Sequence, residues 1–188
     1  MNLSKPLISL CMIVKNEEEN IIRCLGSIKN YVDEILVLDT GSTDQTPQLA
    51  QQLGAVVRYG TWENDFSKAR NESIKEARGK WILFLDADEE ISEETGRALR
   101  ELAKKEEAEA YTFNIINYTT RDKDCQKQIG INLRMFKNNP LYTFQGKIHE
   151  QIKGNILKAN PSAKILHSGL NIIHYGYCND NKNRKEKN

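Results

Sequence analysis

The chain has 188 residues, 39% of them hydrophobic and 28% charged, with a formal net charge of +1. That length suits one large domain or a domain with a small appendage, and the composition is that of an ordinary soluble globular protein. So even a charge balance excludes any global electrostatic case for binding nucleic acid or an anionic membrane surface.

Taken in order, Leu7 to Val14 is nearly all apolar and reads as a central strand. Pro6 to Val14 is the nearest thing to a leader peptide. It is too short to span a bilayer, has no small-residue cleavage site, and runs straight into Lys15-Asn16-Glu17-Glu18-Glu19. No other segment reaches transmembrane length, so the expectation is a protein neither exported nor membrane-inserted by its own sequence. Ile21, Ile22, Leu25 and Ile28 are spaced for one face of a helix, with Asn16 and Glu19 as a capping box at its start. Val32 to Leu38 is a second strand, ending in the turn-forming run Asp39-Thr40-Gly41-Ser42-Thr43-Asp44. Thr46 caps a helix with Pro47 at its first position, and Gly54 stops it. Ala55 to Tyr59 reads as a third strand, and Ser67 to Arg78 as a helix stopped by Gly79. Trp81-Ile82-Leu83-Phe84-Leu85 is again apolar throughout, a strand covered on both faces, and it runs into Asp86-Ala87-Asp88-Glu89-Glu90. Ser92 caps a further helix to about Lys105.

This alternation predicts a doubly wound α/β domain with right-handed crossovers. Ligands in such sheets bind outside the carboxyl ends of the strands. Three polar clusters fall there: Lys15 to Glu17, Asp39 to Asp44, and Asp86 to Asp88. After about residue 108 the pattern becomes β-rich, with strands expected at Ala110 to Tyr118, Ile131 to Lys137, Leu141 to Ile148, Lys164 to Leu166 and Leu170 to Tyr175. These are expected to complete the sheet. Asn179 to Asn188 is polar without periodicity and reads as disordered or as the start of a further segment. There is no internal repeat or inter-domain linker. The organisation expected is thus a single domain over 1–178, divided into halves 1–108 and 109–178, with a polar tail at 179–188. The four cysteines, Cys11, Cys24, Cys125 and Cys178, form no Cys-x-x-Cys pair. Cys11 and Cys24 lie in apolar-patterned segments and read as buried thiols in a reducing compartment.

Asp86 and Asp88 are two apart at a strand end, so extended geometry points both carboxylates the same way. They repel unless a cation or proton shares the site, and a hard divalent ion that also holds phosphates is the natural partner. The bland alternative is an acidic loop, and Glu89 and Glu90 read as the solvated approach to the next helix. His149-Glu150 offers a carboxylate that can act as general base, against a salt-bridged strand edge. Trp62 reads as a core aromatic, and a stacking surface for a sugar or base is the sharper alternative.

The stretches SLCMIVKNEEENI, VDEILVLDTGSTDQT, NDFSKARNESIKEARGKWILFLDADE, FQGKIHEQI and IIHYGY resemble the family-2 glycosyltransferases and together cover nearly the whole chain. The resemblance implies the GT-A fold, a Rossmann-like, mostly parallel sheet flanked by helices with a β-rich acceptor-side half. It is nearest a bacterial branch with the DTGSTD form and a His-Glu pair, similar to lipopolysaccharide-core and peptide-modifying sugar transferases, several of which continue into helical repeats. It implies a metal-dependent, inverting transfer from a nucleotide-sugar, a UDP-hexose, to a glycan, lipid-linked or peptide acceptor. Mn²⁺ or Mg²⁺ would be held by Asp88, with Asp86 also at the metal and nearer the ribose, and by His174. Val14, Asn16, Glu17, Asp39, Thr40, Arg70, Asn71 and Ala87 would surround the donor, while His149 and Glu150 would be catalytic. Thr40 stands where the usual motif has a second acid, which weakens the implied uracil contact. A cytoplasmic location follows, with the inner face of the membrane as a working position. A nucleotidyltransferase would show a Gly-rich, basic loop after the first strand, where this chain has Lys15-Asn16-Glu17. A catalytically inactive nucleotide-binding domain is argued against by Asp86, Asp88 and Glu150.

Overall fold

A computed structural model describes residues 5–118 and 127–175. The strands are β1 (Ile8–Val14), β2 (Glu34–Asp39), β3 (Val56–Tyr59), β4 (Trp81–Phe84), β5 (Glu89–Glu90), β6 (Ala110–Tyr118), β7 (Lys127–Lys137) and β8 (Ile165–His174). The α-helices are α1 (Ile21–Ile28), α2 (Thr46–Gln52), α3 (Phe66–Ile74), α4 (Glu93–Lys104) and α5 (Lys153–Ala159). One sheet holds all eight strands in the order β3-β2-β1-β4-β7-β6-β8-β5. The first four strands pair in parallel. β7 joins β4 and β6 antiparallel, while β6 and β8 are parallel. The sheet therefore runs unbroken from the first four strands into the later half, as expected.

Period-2 alternation explains the continuous apolar runs, because each central strand feeds two cores. Ile8, Leu10, Met12 and Val14 of β1, with Trp81 and Leu83 of β4, pack on one face with Ile21, Cys24, Leu25 and Leu99. Cys11, Ile82 and Phe84 face the other way, onto Phe136, Tyr142, Phe144 and Ile156. Cys11 and Cys24 are buried as expected, and burial pushes the Cys11 thiol up to about 12. Cys125, Cys178, Gly176, Tyr177 and the polar tail lie outside the described residues.

Several local expectations change. Asn16 does not cap α1: it sits at φ +54° and its side chain accepts from Thr43 N at 2.8 Å, so the helix starts later, after Asn20. Ile22 is 51% exposed, and Cys24 takes its place on the buried face. Thr46 is the first residue of α2, not its cap, with its hydroxyl on Asp44. α3 ends at Ile74 because other groups capture the backbone beyond it. Glu34 accepts from Arg78 N at 2.6 Å, and Asn138 Nδ2 donates to the carbonyls of Ala77 and Gly79 at 2.7 and 3.0 Å. Gly79 is required there, since a Cβ would lie 2.6 Å from the Ser9 nitrogen. Leu141 to Ile148 is a loop, with an isolated bridge between Gln145 and Gln151. Its strand-like pattern comes from Tyr142 and Phe144, both buried in the second core. Asn71, instead of a neighbouring strand, satisfies the Phe144 backbone, accepting from its N–H at 2.7 Å and donating to its carbonyl at 3.0 Å. β8 is one continuous strand through Gly169 (φ +72°), and the seven-residue α5 was not expected.

Candidate active site

The carboxyl ends of β2, β1 and β4 lie side by side, because β1 is paired in parallel with both neighbours. Val14 and Asp39 are register partners, and Thr40 ties back to the Val14 carbonyl through its N–H at 2.9 Å and its hydroxyl at 3.1 Å. The loops beyond them are laced together. Asn16 N donates to the Ser42 hydroxyl, and Glu17 N to the Thr46 hydroxyl at 2.7 Å. Asp39 is buried: one carboxylate oxygen accepts from Gly41 N and Ser42 N, and the other has no partner among the described residues. Such a buried, unused acceptor is costly unless a ligand donor meets it.

At the end of β4 the chain turns through Asp86-Ala87-Asp88 and returns as β5, which pairs with β8 so that Glu89 faces His174. Asp88 Oδ2 lies 3.3 Å from His174 Nε2, and Tyr175 N donates to the Asp88 carbonyl at 3.0 Å. With Asn117 Oδ1 accepting from His174 Nδ1 at 2.7 Å, the ring's other nitrogen faces the Asp88 carboxylate. Only a proton or a cation reconciles a lone pair with a carboxylate at that range. The hydrogen bond to Asp88 accordingly raises the His174 pKa, against the opposing effect of burial. The spacing and donor types fit a divalent ion of the Mn²⁺ kind, which accepts both carboxylate and imidazole. No group of three such side chains is gathered among the described residues, so the remaining positions would go to phosphate oxygens and water.

Asp86 behaves differently from Asp88. One of its oxygens is held by Arg70 Nη2, and the other by Arg134 Nη1 and Nη2 at 3.3 and 3.2 Å. Burial would raise its pKa, but the two guanidinium groups overcome that and hold it below the usual carboxylate range. Arg70 Nε also donates to Glu150 Oε1 at 3.2 Å, so one guanidinium joins the end of β4 to the later half. Glu89 is 1% exposed: it accepts from Asp86 N at 2.9 Å and pairs with Arg134. The solvated approach expected for Glu89 and Glu90 is therefore wrong. Glu89 is a buried partner of the site, and Glu90 accepts from the Tyr175 hydroxyl at 2.7 Å. Burial, opposed by Arg134 and reinforced by the charge of Asp86, pushes Glu89 up to about 7.

A cleft of about 630 Å³ is lined by Arg70, Asp86, Arg134, His149 and Glu150, among others. His149 is exposed at φ +57°, and Glu150 is half-buried. Val14, Asn16, Glu17, Asp39, Thr40 and Asp88 are outside that lining, at the neighbouring strand ends. Asn71 spends both ends of its amide on the Phe144 backbone, which sets it apart from the donor-facing role expected. Trp62 is half-buried in edge contact with Phe66, not in either core. Arg134 and Glu89 were missed. The available signal was an arginine inside the apolar run Leu133-Arg134-Met135-Phe136, since a buried guanidinium in a strand needs a carboxylate.

An eight-stranded mixed sheet flanked by helices, with polar clusters at the carboxyl ends of its parallel strands, places this protein in the GT-A class of α/β folds. Among solved structures it is similar to a mannosyltransferase from Pyrobaculum calidifontis in complex with GDP-Man and Mn²⁺. The TM-score is 0.68 at 16% identity, covering 93% of this chain and 59% of that one. The chain belongs to glycosyl transferase family 2, whose profile matches residues 9–161. It is 41% identical over 177 residues to a TPR repeat-containing protein of Synechococcus elongatus, covering 92% of this chain and 43% of that protein. It is 33% identical over 184 residues to the SPbeta prophage-derived glycosyltransferase SunS of Bacillus subtilis, covering 97% of this chain and 42% of that protein. The chain thus spans less than half the length of these two relatives.

Proposed function

We propose that this protein is a metal-dependent, inverting glycosyltransferase that moves a hexose from a nucleoside-diphosphate donor to an acceptor nucleophile. The motif resemblance supports a UDP-sugar as the donor, with Thr40 at the position of the usual second acid counting against the uracil contact. The observation that carries the reading is the corner where Asp88 and His174 face one another, 3.3 Å apart, beside the Asp86–Arg70–Glu150 chain. Asp88 and His174 would hold the divalent ion. Bound there, it would neutralise the charge that grows on the diphosphate as the glycosidic bond breaks. Asp86, fixed by two arginines, would accept from donor hydroxyls, and the unused buried oxygen of Asp39 from an N–H of the base. Glu150 would take the proton of the acceptor as it attacks the anomeric carbon. The electron pair of the broken carbon–oxygen bond leaves with the diphosphate. Arg70 would orient Glu150 from the donor side, so the base and the donor share one anchor.

The test is thermal denaturation of the protein with UDP, GDP or CDP, each with and without Mn²⁺. One nucleotide should stabilise the fold only when Mn²⁺ is present, by about 2.7 kcal/mol at a hundredfold excess over Kd. Asp88→Ala should remove the metal-dependent part. Equal stabilisation of wild type and variant would take Asp88 out of the site, and no stabilisation by any nucleotide would defeat the reading. A screen for donor hydrolysis across nucleotide-sugars then assigns the hexose.

A further inference from the structure

Arg134 is 7% exposed, and its side chain reaches both Asp86 and Glu89. It comes from β7, far in sequence from the acids it binds, and crosses to the end of β4 through the antiparallel pairing of those strands. Its guanidinium carbon lies 5.0 Å from the centre of the Phe84 ring, and that of Arg70 lies 4.9 Å from the same ring. Both forks thus rest on one aromatic side chain, an arrangement that favours guanidinium over ammonium. Each carries a further buried nitrogen with no hydrogen-bond partner among the described residues, Nη1 of Arg70 and Nε of Arg134. Two arginines held in this way grip the two oxygens of Asp86 from opposite ends of the carboxylate.

We propose that Arg134 is a positioning residue for the donor: with Arg70 it locks the Asp86 carboxylate in one orientation, so that Asp86 meets the donor without reorganising. Glu89 is its counter-charge. By accepting from Asp86 N and binding Arg134 together, Glu89 ties the backbone and the side chain of Asp86 to one buried group. An Arg134 lost from this place leaves Asp86 with a single guanidinium and free to turn its second oxygen. It also leaves Glu89 buried beside another carboxylate, a purely structural penalty. The two consequences are separable.

The inference rests on the donor reading above, so wild-type nucleotide binding with Mn²⁺ is measured first, by calorimetry. Its absence defeats that reading and this inference with it, whereas the variants test this inference alone. Three variants follow: Arg134→Lys, Arg134→Met, and Arg134→Met combined with Glu89→Gln. Lysine keeps a charge for Glu89 but cannot hold two carboxylates in a fork. Arg134→Lys should fold and bind the donor more weakly, by about tenfold to a hundredfold, as for the loss of one charged hydrogen bond. The loss should fall on the donor KM more than on kcat. The double variant removes the buried charge pair together, so it should recover thermal stability relative to Arg134→Met while donor affinity stays low. Wild-type donor affinity in the double variant would overturn the proposal, since Arg134 would then serve only to neutralise Glu89. Wild-type affinity in Arg134→Lys would overturn it equally.

Discussion

At the scale of single residues, the site separates two aspartates that the Asp-x-Asp spacing makes look equivalent. Asp88 is paired with an imidazole, whereas Asp86 is held by two arginines. Extended spacing aims both carboxylates the same way, but the chain turns at Ala87, and what each then meets depends on β7 and β8. Glu150 is the other residue whose role divides cleanly by experiment. Glu150→Gln keeps a hydrogen-bonding side chain beside Arg70 but cannot take a proton. Donor binding should persist within about threefold, while transfer falls by at least about a hundredfold, the lower range for lost general-base catalysis. Parallel measurements of nucleotide affinity and transfer rate decide it, and transfer near the wild-type rate would remove Glu150 as base. Of the candidate site, Arg70 and the His-Glu pair entered through the motif resemblance, while the strand-end acids were legible because they stand in polar clusters after apolar runs. Arg134 and Glu89 were not, since a charge inside a strand and an acid after a turn each resemble solvated surface until their partner is known.

At the scale of elements, the loop from Asn138 to Ile152 shows how a core pattern can arise without a strand. Tyr142 and Phe144 alternate into the second core, and the backbone hydrogen bonds that a strand would make are supplied by Asn71 on α3. This makes Asn71 a clamp. Asn71→Ala should leave the Phe144 N–H and carbonyl without partners, costing about 2 kcal/mol and lowering Tm by about 4–8 °C. Limited proteolysis should then cut within 139–152 before any other described segment. An unchanged Tm would mean that the loop is held by its buried aromatics alone. The fully apolar strands were readable because two covered faces demand apolar residues at every position. The bounds of Ala110–Tyr118 match the expectation for the same kind of reason, a dense β-forming run between charged flanks. Helix ends were not readable where distant groups intervene: Glu34 and Asn138 capture the backbone beyond α3, and Thr43 N donates to the Asn16 side chain that would have capped α1.

At the scale of the whole molecule, Asp33 fastens three parts of the fold. Its carboxylate accepts from Leu7 N and Ile8 N at 2.8 and 2.9 Å and from Arg100 of α4 at 2.8 Å. Burial alone would raise its pKa, but Arg100 and the two backbone donors lower it below the usual value. A carboxyl group lowered in the folded state stabilises the fold above its ordinary pKa, about 4, and loses that contribution as pH falls through the folded value. Asp33→Asn should therefore cost about 1–2 kcal/mol at pH 7 in urea unfolding, and the gap from wild type should narrow below pH 4. A gap independent of pH would mean that the charge of Asp33 contributes nothing. The position of β4, flanked by β1 on one side and β7 on the other, has a consequence for modularity. Severing the chain near residue 108 would turn β4 into a bare edge carrying the buried ring of Trp81, a template for pairing with other chains. Residues 1–108 could then be neither excised nor grafted elsewhere as a free-standing cassette, and any change in the later strands would have to be made with that part in place.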